Sequence, residues 1–135
     1  MSLRGLGSSA RPRTSLGEAG VVCHDLQGFS DLTMDLVRLM HQEHIRVAGR
    51  HARPVLLLAN DILTVEFQVQ LFASHPDLQR SIRALAIVGT SFMLRHLTSM
   101  FLSYHAPDYP VKRFDTREEA QQWLAGRLAS GADKR

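Results

Sequence analysis

Two uninterrupted apolar runs divide the chain, Val55-Leu56-Leu57-Leu58-Ala59 and Ala84-Leu85-Ala86-Ile87-Val88. Neither alternates with polar residues, so each predicts a strand buried on both faces, as in a parallel sheet covered by helices. Pro54 precedes the first run and Asn60-Asp61 follows it, while Gly89 closes the second. These are turn signals, and they fix where each strand ends. Upstream, residues 14–16 and 21–26 flank a Gly-Glu-Ala-Gly turn and predict a hairpin that opens the sheet.

Between and after the two runs the period changes from strand to helix. Leu32, Leu36, Leu39, Met40 and Val47 share one helical face, predicting a helix over residues 31–47 with Ser30 or Asp31 as N-cap and Gly49 as its stop. Residues 65–74, with Phe67, Val69, Leu71 and Phe72 apolar, predict a second helix that His75-Pro76 interrupts. Pro76 then opens a short helical continuation to about residue 82.

A helix over residues 92–104, capped by Thr90 or Ser91, carries Phe92, Met93, Leu94, Leu97, Met100, Phe101, Leu102 and Tyr104. These cover most of its circumference. A helix apolar on more than one face is expected to be buried on more than one side, here against the sheet and against another helix or a second copy of the chain. A last strand over residues 111–114 leads to a capping box, Asp115 with Glu118 or Thr116 with Glu119, and to the stripe Ala120, Trp123, Leu124 and Leu128. The whole order predicts an α/β fold: a small mixed, mostly parallel sheet of about four or five strands with about as many helices.

With 135 residues, 44% hydrophobic and 21% charged, the chain is expected to form one core without disulfide or metal support. Residues 1–13 read as a flexible basic leader, residues 14–130 as the domain, and residues 131–135 as a frayed tail. Arg4, Arg11 and Arg13 account for the entire formal excess of +3. The domain proper is balanced, which argues against nucleic acid as a partner, since that needs a basic face on the fold. Cys23 is the only cysteine; no internal disulfide or thiolate cluster is expected, and a reducing, cytoplasmic setting follows. No apolar stretch reaches bilayer length, so no membrane span is expected.

Candidate chemistry is sparse. His41 and His44 lie three residues apart with Glu43 between them and His51 nearby, but no acid completes a metal set, so a solvated helix face is expected and no metal site. Gly89, Thr90 and Ser91 stand where a strand turns into a helix, and with Arg95 one turn later they form a candidate anion or ligand site. Asp25, Asp61 and Glu66 are acids near strand ends, yet no nucleophile elbow accompanies them. Cys23 reads as a small core residue. No catalytic constellation and no cofactor motif is present, so a non-enzyme is expected. Groups beyond the carboxyl end of a central strand face a crevice in open α/β sheets, which makes Asn60, Asp61, Thr64 and Glu66 the candidate partner-binding residues.

Pro110-Val111-Lys112-Arg113-Phe114 followed by Glu118, Glu119, Ala120, Trp123 and Leu124 resembles the closing strand and helix of bacterial STAS-like proteins, the SpoIIAA-like group similar to anti-sigma-factor antagonists. Residues 84–89 and the Arg95-containing helix resemble the corresponding segment of that group. The resemblance, over residues 21–124, implies a SpoIIAA-like fold and a cytoplasmic, non-enzymatic domain that works through protein contact, as a homodimer, in bacterial regulation. In the antagonists a phosphorylatable Ser or Thr follows the buried strand in an Asp-Ser-type turn. Here Thr64 is the nearest hydroxyl, with Leu63 where the acid would stand. The alternative that the resemblance implies is a small-molecule or lipid-binding module of the same fold.

Overall fold

The structure, a computed structural model, describes residues 12–133. In chain order it forms β1 (Arg13–Leu16), a single 3-10 turn (Glu18–Gly20), β2 (Val22–Asp25), β3 (Asp31–Leu32), α1 (Met34–Ala48), β4 (Arg53–Leu58) and β5 (Thr64–Val65). Then come α2 (Phe67–Phe72), α3 (Pro76–Ser81), β6 (Ile82–Val88), α4 (Phe92–Tyr104), β7 (Val111–Phe114) and α5 (Arg117–Asp133). β1 begins at Arg13, so the leader expected over residues 1–13 lies outside the described residues except for Arg13 and the buried Pro12. The end of the frayed tail and the Leu128 side chain also lie outside them.

The main sheet has the order β1-β2-β4-β6-β7, with β1 antiparallel to β2 and the remaining pairs parallel. This is the mixed, mostly parallel α/β fold that the alternation of strands and helices predicted. β4 is central, and Val55, Leu56, Leu57 and Ala59 are all buried. Because strand side chains alternate in direction, Leu57 and Ile87 meet Leu36, Val37 and Met40 of α1 and Leu94 of α4 on one face. Leu56, Ala84, Ala86 and Val88 meet Ala120 and Leu124 of α5 on the other. Leu56 and Leu124 are fully buried, each contributing about 1.5–3 kcal/mol of transfer free energy.

Local chemistry fixes the helix ends. Thr33 Oγ1 accepts from the Leu36 amide at 3.1 Å, Ser91 Oγ from Leu94 at 3.0 Å, and Thr116 Oγ1 from Glu119 at 3.2 Å. α1 stops at Gly49, whose φ of 71° suits a residue without a Cβ.

Two expectations from periodicity are corrected. α1 begins at Met34, capped by Thr33, and not at residue 31 with Ser30 or Asp31 as cap. The second helix begins at Phe67 and not at Val65. The residues displaced from both helices form β3 and β5, a two-stranded parallel pair with Asp31 opposite Thr64 and Leu32 opposite Val65. Ser30 O accepts from the amides of Leu63 and Thr64, and Leu32 O accepts from the Glu66 amide. Backbone groups that would have opened two helices are satisfied by each other across the fold.

Candidate functional site

The turn after β4 lies at the carboxyl ends of the parallel strands, beside a shallow cleft of about 260 Å³ lined by Asp25, Gln27, Leu58, Asn60 and Asp61. Asn60, Asp61, Thr64 and Glu66 are all exposed. Three of them also hold the fold together. Asp61 Oδ2 accepts from the Gly28 amide at 2.8 Å, Thr64 Oγ1 donates to Asp31 Oδ1 at 2.6 Å, and Glu66 Oε1 accepts from the Met34 amide at 2.9 Å. The last is a cap supplied in trans: a carboxylate after β5 satisfies a donor in the first turn of α1, where the helix dipole favours negative charge. Asp25 Oδ1 likewise accepts from the Gln27 amide at 3.0 Å. The carboxylates of the rim are therefore positioned by backbone donors.

Beside this rim the surface is apolar. Leu63, Phe67 and Leu71 are about half exposed or more, and on α4 Met93, Met100 and Tyr104 are 41%, 44% and 73% exposed. The Phe67 and His105 rings meet in a T-shaped pair with centroids 5.5 Å apart, which brings the first turn of α2 against the end of α4. Met93, Leu97, Met100 and Tyr104 fall on one flank of α4 at helical spacing. Between the two helices a cavity of about 110 Å³ runs down to the sheet, with Val69 of α2 and Leu97 and Phe101 of α4 in its walls. α4 buries only Leu94 and Thr98 fully within the chain. The expectation that it would be covered on more than one side is met by the sheet and, at its end, by the first turn of α2, while its outer flank stays exposed.

The residues of the anion candidate are engaged with one another. The Gly89 amide donates to Phe114 O at 3.1 Å, and Arg113 donates to Gly89 O at 2.7 Å. Ser91 caps α4, Thr90 is exposed, and the Arg95 guanidinium faces the Asp115 carboxylate at 3.8 Å. The hydrogen bond from Arg113, with the two arginine charges, holds the Asp115 carboxyl below its ordinary range. Gly89 also has no room for a side chain: a Cβ there would collide with the Leu94 side chain and stand 3.2 Å from Ala59 O.

The histidines correct the sequence reading most sharply. His44 is 2% exposed and His24, which composition and motif did not single out, is 4% exposed. Burial lowers the pKa of both, His24 to about 4, and neighbouring histidines add to the effect. His41, half-buried, is lowered for the same first reason. The signal was present: His44 follows Met40 by four residues and Val37 by seven, on the buried stripe of α1. Among the described residues no group of three or more His, Cys, Asp or Glu side chains could hold a metal ion. Cys23 is buried, with its thiol pKa raised by burial against the opposing charge of Arg117. No helix of the described residues is long and apolar enough to cross a membrane.

The family described as "Domain of unknown function (DUF7793)" matches residues 16–127. No curated protein matches the chain. Among solved structures, the chain is similar to an uncharacterized protein of the DUF3478 family with a SpoIIAA-like fold from Shewanella loihica PV-4. The identity is 14%, 84% of this chain and 91% of that chain are covered, and the TM-score is 0.57. A protein with unknown function from Arthrobacter sp. FB24 aligns at 21% identity over 83% of this chain and 91% of that one, with a TM-score of 0.28. The first likeness establishes a SpoIIAA-like fold, as the closing strand and helix suggested.

Proposed function

The chain belongs to the DUF7793 family, and from its SpoIIAA-like fold and its open helical face we propose that it is a non-enzymatic protein-interaction domain that pairs with a second copy of itself through α2 and α4. The observation that carries this reading is the set of large apolar side chains left in solvent, Leu63, Phe67, Leu71, Met93, Met100 and Tyr104. Together they expose on the order of 700 Å², within the roughly 600–1,000 Å² that one partner contributes to a standard-size interface. The polar rim at Asn60, Asp61, Thr64 and Glu66 borders this patch through Leu63 and Phe67, giving the apolar centre and polar margin of a specific contact. A two-fold pairing would cover the same patch on both copies. Support for a non-enzymatic role comes from the rim carboxylates, each already an acceptor for a backbone amide.

Sedimentation velocity over about 1–100 μM tests the pairing in the range expected for a transient interface of this size. The expected result is a concentration-dependent dimer whose dissociation constant rises at least tenfold when Phe67→Glu and Tyr104→Glu are combined, because two carboxylates would be buried without partners. A wild-type chain that stays monomeric throughout, or a dimer indifferent to the double substitution, would refute it.

A further inference from the structure

A second cavity of about 110 Å³ lies under α1, walled by Val37, Met40, Val55 and Leu57, with His44 and Tyr109 among its lining residues. It adjoins the cavity between α2 and α4, sharing Leu57 and Val69 with it. Most of its polar groups are satisfied within the chain. The Tyr109 hydroxyl donates to Ala73 O at 2.9 Å, Ser81 Oγ donates to Asp77 O at 2.9 Å, and Thr14 Oγ1 lies 2.7 Å from His24 Nδ1. His44 is different: its Nε2 is fully buried and has no hydrogen-bond partner. An orphaned imidazole nitrogen in an apolar chamber is costly unless something meets it.

We propose that this cavity is a binding site for a small neutral apolar molecule carrying one hydroxyl, of the phenol class, whose O–H donates to His44 Nε2 while its ring fills the space beside Val37, Met40, Val55 and Leu57. Burial disfavours the charged ring, and a neutral imidazole carries a proton on one nitrogen and a lone pair on the other. With the proton on Nδ1, the unpartnered Nε2 is an acceptor and calls for a donor. A carboxylate would enter a chamber with no cationic partner in its walls and pay its full desolvation, so a neutral ligand is favoured. An apolar cavity of about 150 Å³ accepts benzene, and this one, of about 110 Å³ with a second of about 110 Å³ across Leu57 and Val69, is of that order. The site lies under α1, and its test reads His44 and not the exposed face of α2 and α4.

The test uses the full chain with phenol and benzene as probes, a pair that differs by the one hydroxyl. Long-range proton–nitrogen correlation of the labelled histidines should show His44 Nε2 unprotonated in the free protein and moved by phenol but not by benzene. Calorimetry should give phenol about tenfold tighter than benzene, the worth of one neutral hydrogen bond with its partner buried. His44→Phe should abolish that preference. A protonated Nε2, an Nε2 signal that phenol leaves unmoved because only water occupies the site, or equal or absent binding of the two probes would overturn the proposal. Should the His44→Phe chain fail to fold, the nitrogen spectrum of the unaltered chain decides alone.

Discussion

Acid should destabilise this protein through His24 before its carboxylates titrate. The His24 ring, on β2 and 4% exposed, faces Thr14 of β1 and feels His41, Glu43 and His44 of α1. Burial, the largest cause, lowers its pKa from 6.5 to about 4 in the folded chain, with His44 and His41 adding to the shift and Glu43 opposing it. In the window between those values the unfolded chain holds a proton that the folded chain refuses, so stability rises with pH and falls on acidification. The contribution is complete above pH 6.5 and is lost progressively down to about pH 4. At about 1.4 kcal/mol per pH unit, the loss from this one group comes to about 3 kcal/mol, a large fraction of the roughly 5–15 kcal/mol that holds a domain together. His44 and His41 are shifted in the same direction and steepen the fall. Urea unfolding followed by Trp123, whose ring packs 5.5 Å from Phe114, gives the midpoint at each pH from 7.5 to 4.5. His24→Gln should flatten the slope by about one proton. A wild-type midpoint constant between pH 6.5 and 4.5, or a slope unchanged in the variant, would show that the ring is not held neutral by burial.

Two further outcomes follow from single contacts. Glu66→Ala removes the acceptor of the Met34 amide and should cost about 1 kcal/mol, the usual worth of an N-terminal cap; amide exchange should quicken at Met34 first, and Glu66→Gln should restore most of the loss. Gly89→Ala drives a methyl into the Leu94 side chain and toward Ala59 O, and should destabilise by about 1–3 kcal/mol in chemical denaturation, with the sheet junction of β4 and β6 loosened.

The strands and helices of the main layer were legible because their signals are local. β4 and β6 are continuous apolar runs, α1 and α5 carry one-sided stripes, and Thr116, Ser91 and Gly49 mark ends by chemistry that acts within four residues. The β3–β5 pair was not legible, since Asp31 and Thr64 are far apart in sequence and each strand has only two residues. Their short apolar content fits a helical stripe equally well, and only the cross-chain hydrogen bonds decide. The turn of Asn60 and Asp61 does follow β4, as the apolar run and its exit residues indicated, but the internal roles of Asp61, Thr64 and Glu66 were not legible, because their partners Gly28, Asp31 and Met34 are brought there by the same pairing.

By itself, then, the order of residues determined which segments fold and which of their faces are greasy, because periodicity and capping are properties of neighbours along the chain. Tertiary structure alone decided what covers each face. It sealed His44 and His24 beneath α1, where desolvation governs their charge, and it left Phe67, Met100 and Tyr104 in water, because the burial of a side chain depends on what packs over it from elsewhere in the fold.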